Sequence, residues 1–202
     1  RPAIGLLIAV GSAWDASRLG ESAPDLSGPL SAFQQAERDY GSELKTGDAA
    51  AAAVKAVQAL GDGKLPSSDE RWATASDALL AVTVAAANNS NLILDPDLDS
   101  FYVMDAAVVK LPAIVDGAAV TGEAATSGKA SPDRTANVAV ELGALVAASD
   151  GFAGDIATAV PATTNTSVAA AMNSANDAIG SVAKKFEEAA KPGLISPLPN
   201  AA

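Results

Sequence analysis

The steps Trp72, Ala75, Leu79, Val82 and Ala86 alternate between three and four residues, placing one apolar stripe along a helix. This rhythm recurs through the chain and constrains its fold more than any other feature. Five other segments carry it. They run from about Ala3 to Leu19 (Ile4, Leu7, Ile8, Gly11, Trp14), through Leu26, Leu30, Phe33, Tyr40 and Leu44, and through Phe101, Met104, Val108, Leu111, Val115 and Ala118. The last two carry Val138, Leu142, Leu145, Ser149, Phe152 and Ile156, then Val168, Met172, Ala175, Ile179, Val182 and Phe186. The second segment is read as continuing past Gly47 to Val54, Val57 and Leu60. No segment alternates with the period of two that a half-buried strand requires. The expectation is therefore all-α, an elongated antiparallel bundle of about six helices occupying residues 1–190 as one domain. Residues 191–202 (KPGLISPLPNAA) form a loosely ordered tail, since their prolines preclude a continuous helix.

Composition agrees with this reading. Hydrophobic residues make up 49% of the 202-residue chain and aromatics only 4%. Alanine, the strongest helix former, supplies much of the apolar content, and such narrow, small-residue seams suit close antiparallel helix pairs. Boundary signals are local. Gly61-Asp62-Gly63 and Pro66 stop the second segment. Ser67–Glu70 has the form of a capping box opening the third, Asp99 is a natural N-cap for the fourth, and Ser131-Pro132-Asp133 starts the fifth. Pro112, inside the fourth, is expected to kink it by removing a hydrogen bond to the preceding turn. Trp14 and Trp72, the only tryptophans, are read as core anchors.

The net charge is −11, which argues against a nucleic-acid partner and against binding along an anionic lipid surface. There are no cysteines and no histidines. Disulfides, thiolate metal sites, thiol nucleophiles and Ser-His-Asp triads are thereby excluded. No Walker loop and no carboxylate dyad stands out, so no catalytic residue, no metal site and no cofactor is expected, and the chain reads as a non-enzyme. No run reaches the ~20 apolar residues of a membrane-spanning helix. The chain opens on Arg1-Pro2 without a methionine, and is read as a segment of a longer protein whose membrane anchors lie outside it.

Asp95–Ser100 (DPDLDS) is the densest acidic cluster. It begins like a calcium loop, but a calcium loop needs glycine at its sixth position and glutamate at its twelfth, where Ser100 and Ala106 stand. The simpler reading is a turn fixed by Pro96, with Asp97 and Asp99 bonding free amides at the next helix start. Asn88–Asn91 (NNSN) ends the preceding helix, either as a cap or as amide groups able to recognise a small polar ligand. Tyr102 and Asp105, three apart, share a helix face. The candidate ligand-binding residues are therefore Asn88, Asn91, Asp97, Asp99, Tyr102 and Asp105.

The run Ser90–Asp116 (SNLILDPDLDSFYVMDAAVVKLPAIVD) resembles the signature of extracytoplasmic sensor regions in bacterial methyl-accepting chemotaxis proteins. Related regions precede some histidine kinases and diguanylate cyclases. The family pattern is (S/N)NL-x-LDPDLDSYYLMD-x(4)-RLP. Here Phe101 replaces one tyrosine, Val103-Met104 stands at the LM pair, and Lys110-Leu111-Pro112 replaces Arg-Leu-Pro. Weaker agreement extends back through Trp72 and through Glu37–Gly47, whereas residues beyond about Gly128 agree only in being helical. The resemblance implies a periplasmic or extracellular module between two transmembrane helices, relaying a small-molecule or protein stimulus through helix shifts in a homodimer. It does not name the ligand. The alternative is a secreted or anchored helical adaptor that binds another protein.

Overall fold

The computed structural model describes residues 1–61, 64–90, 97–126 and 131–190. These residues form helices and turns with no strand among them, so the fold is all-α. The helices are α1 (Pro2–Leu19), α2 (Ser27–Leu44), α3 (Gly47–Gln58), α4 (Arg71–Asn89), α5 (residues 98–126), α6 (Pro132–Ala162) and α7 (Thr166–Ala190). Asn91, the Gly61–Gly63 turn beyond its first residue, and the tail lie wholly or partly outside the described residues.

Among the described residues seven helices replace the expected six, because the second segment breaks at Lys45. Its backbone is left-handed (φ 50°, ψ 41°), and its N–H returns to the Gly41 carbonyl. Thr46, buried, then donates its hydroxyl to the Glu37 carboxylate at 2.8 Å. Glu37 reaches it by lying directly over Gly41, where any Cβ would collide with the carboxylate. A lysine in this conformation is strained in a way that glycine is not. Lys45→Gly is expected to stabilise the fold by about 0.5–1 kcal/mol. Urea unfolding checks this, and a loss of stability would contradict the reading of the corner.

The cap expected at Ser131 is present, its hydroxyl oxygen accepting the Arg134 N–H at 3.1 Å. The capping box at Ser67–Glu70 does not form. Glu70 occupies the N-cap position without a side-chain bond, and Asp69 takes over. Its carboxylate accepts the Arg71 backbone N–H at 3.0 Å and two guanidinium N–H groups at 2.8 and 2.7 Å. These bonds, the guanidinium first, pull the Asp69 carboxyl down to about 2. The backbone before α4 is held instead by two indoles. Trp14 donates to the Ser67 carbonyl at 2.7 Å and Trp72 to the Pro66 carbonyl at 3.1 Å, while their rings stack with centroids 6.4 Å apart.

The first core gathers Leu6, Leu7, Val10 and Trp14 of α1 with Phe33, Val57, Leu60, Trp72 and Leu79. The stripe expected on α1 is only half right, since Leu6 and Val10 are buried and Ile8 is 48% exposed. Ala3–Val10 is apolar on every side, so spacing alone does not select its face. A second core joins Ala106 and Ile114 of α5 to Leu145, Phe152, Ile156 and Ala159 of α6 and Met172 of α7. Helix α5 enters both cores, contributing Ala119 to the first. That central position explains why its buried residues (Met104, Ala106, Pro112, Ile114, Ala119) depart from the single stripe expected of it.

By length and composition α6 also meets the requirement for crossing a membrane, with a mean hydropathy of 1.2. The sequence reading sought an unbroken apolar run, and in α6 acidic residues such as Glu141 and Asp150 interrupt it. In the fold, α6 packs on α5 and α7.

Candidate functional site

Helix α5 is α-helical over Leu98–Met104, widens to a π turn over Asp105–Lys110, and returns to α over Leu111–Thr126. The Leu111 N–H therefore reaches back five residues, to the Ala106 carbonyl. The π turn directly precedes Pro112, whose missing N–H would otherwise break the ladder. The irregularity expected at Pro112 is thus expressed as an inserted residue upstream, a feature frequent at functional sites.

The α5 start is two residues earlier than expected, with Asp97 rather than Asp99 at the N-cap position and no side-chain cap bond from it. Asp99 lies in the first turn and accepts the Ser100 N–H at 2.9 Å. Asn88 is exposed at the end of α4. Its neighbours Asn89 and Ser90 turn back onto the Ala85 and Ala87 carbonyls, which favours capping as the role of this polar run. Tyr102 meets Phe101 edge to face at 5.2 Å and packs against the second core.

Of the six candidate residues, Asp105 is the one that joins a buried electrostatic cluster. Its carboxylate pairs with Lys110 Nζ at 3.4 Å, across the π turn. From α6, Asp155 faces both groups while only 7% exposed, and its Oδ2 atom is buried with no hydrogen-bond partner. Burial first, then the hydrogen bond and charge of Asp105, push the Asp155 carboxyl up to about 6; Lys110 acts in the opposite direction. The Lys110 stem lies across Gly151, where an added Cβ would sit 3.1 Å from Lys110 Cε. Two carboxylates, one ammonium and a glycine thus meet where α5 is irregular.

Asp155 and Lys110 were not among the candidates. The available signal was an aspartate three residues after Phe152 and beside Ile156, inside an otherwise apolar seam. Asp116 was missed as well, although it closes the signature run. Its carboxyl is half-buried and raised, by burial foremost and by Asp77, against the opposing hydrogen bond from buried Ser76.

Of the clefts that flank α5, two also adjoin α6. One, of about 430 Å³, is lined without polar surface by residues such as Val103, Ala107, Phe152 and Met172, between α5, α6 and α7. The other, of about 340 Å³, lies between α4, α5 and α6 and contains Asp116. Among the described residues, no group of three or more acidic side chains is placed to hold a metal ion. Asp155, raised toward neutrality, is the group of the Asp105–Lys110–Asp155 cluster placed to hold or release a proton.

Compared with protein-family models, curated proteins and solved structures, the chain gives no match. Its own residues carry the functional reading.

Proposed function

We propose that this chain is the extracytoplasmic sensing module of a bacterial transmembrane receptor, acting as a homodimer and tethered by segments outside residues 1–202. The observation that carries the reading is the Ser90–Asp116 signature, whose described part builds α5 from its start to Asp116. That helix enters both cores, so a change in its packing against α6 must be accommodated in the first core as well. Tightly packed interiors respond to such changes by switching between discrete arrangements. Binding a ligand beside α5, or altering the Asp105–Lys110–Asp155 cluster, would favour one arrangement over another.

The test is a hybrid receptor carrying residues 1–202 between two transmembrane helices and a kinase-controlling output module. Gly151→Ala pushes Lys110 aside while leaving the rest of the bundle in place. It is expected to change ligand-free output by roughly fivefold, corresponding to about 1 kcal/mol of coupling. Output indifferent to this substitution, with helicity and unfolding midpoint retained, would count against a signalling role.

A further inference from the structure

We propose that the cleft containing Asp116 binds a short-chain primary alkylammonium ion, an assignment that deepens the sensor reading and rests on it for its biological role. The cleft is lined mainly by apolar residues, with two carboxylates, Asp116 and Glu141, among them. Val84 and Val109 stand at its mouth, each about half exposed, and buried Pro112 and Leu145 line it more deeply. Large valines left open to solvent beside a concave surface gain from an aliphatic occupant.

Its polar groups select the sign of that occupant. Asp116 and Glu141 both line the cleft, and among the described residues no lysine or arginine does. Of the groups that bear on the Asp116 carboxyl, the Ser76 hydroxyl favours its charged form and Asp77 adds repulsion rather than compensation. A half-buried carboxylate without a cation is electrostatically incomplete, and an ammonium group supplies what is missing. The chain's net charge of −11 concentrates small cations near it and opposes anions.

The same features select among cations. A divalent metal requires more oxygen ligands than two carboxylates on an apolar wall provide. A quaternary ammonium carries no N–H and is recognised through aromatic faces, and among the described residues the cleft has no aromatic lining. A primary ammonium offers three donors to Asp116 and Glu141 while its methylenes cover Val84, Val109 and Pro112. The volume of about 340 Å³ lies at the small end of ligand sites, matching a short chain.

Calorimetric titration of the chain with n-pentylamine at pH 7.5 tests the assignment, with trimethylpentylammonium and pentanoate as comparators. Saturable one-site binding of the amine is expected, about tenfold or more weaker in both Asp116→Asn and Glu141→Gln, and unchanged in Glu43→Gln on exposed α2. Both comparators are expected to bind at least about tenfold more weakly than the amine. Absence of amine binding to the folded chain, or equal binding by Asp116→Asn and the parent, overturns the assignment. The hybrid receptor separates the two readings. Amine binding with a silent receptor would sink the sensor reading and leave the cleft assignment standing. A receptor that answers to Gly151→Ala but binds no amine would do the reverse.

Discussion

Replacing Trp72 with alanine is expected to destabilise the fold by about 3–5 kcal/mol, the range for removing a large aromatic from a well-packed core. Trp72, in the first turn of α4, is fully buried against α1, with its indole nearly parallel to that of Trp14, the interplanar angle being 7°. Three losses coincide. The removed ring leaves a cavity, Trp14 loses its stacking partner, and the Pro66 carbonyl loses the indole donor. Total stabilities of single domains are about 5–15 kcal/mol, so this one change removes a large share. Urea unfolding followed by circular dichroism measures the loss. Trp14 is then the sole tryptophan, and its emission should shift to the red as the cavity admits water. A loss below about 1.5 kcal/mol would mean that α1 and α4 are held together elsewhere.

The second large effect is on acid dependence, and it runs opposite to ordinary acid denaturation. An unfolded aspartate titrates near ~3.9, whereas Asp155 in the fold is raised to about 6. Between these values the folded protein holds a proton that the unfolded chain has released. Stability from this group is therefore greatest at and below about pH 4, falls as pH rises to about 6, and is level above that. A shift of this size corresponds to on the order of 2–3 kcal/mol. Asp155→Asn keeps the shape and removes the titration. The variant should match the parent near pH 4 and exceed its stability by about that amount at pH 7.5. Asp116, raised in the same direction, is common to both proteins and cancels in the difference. Unfolding free energies measured at both pH values decide it, and parallel curves for parent and variant would refute the assigned role of Asp155.

The physical origin of the Asp155 effect also bears on the proposed sensing role. Asp105 and Lys110 sit on one helix and Asp155 on another, so protonation changes the force between α5 and α6 rather than within either. The substitution tested in the hybrid receptor, Gly151→Ala, acts at the same contact from the steric side.

The alternation of three- and four-residue steps, the alanine content and the boundary signals at Pro66 and Ser131-Pro132 are local properties. They were sufficient for the all-α class and for most helix limits, because backbone propensity and capping depend on residues within one or two turns. The acidic turn and the signature run are equally visible along the chain, and six candidate residues follow from them. Tertiary structure decided what those residues meet. Asp105 is joined to Asp155 across two helices, Asp69 displaces the expected capping box, and Lys45 breaks a segment that spacing alone would continue. It also decided that α5 lies between two cores and presents more than one buried face. A stripe in sequence marks the one face that prefers burial, whereas the number of faces covered depends on how many other helices pack around it, which spacing along one segment does not record.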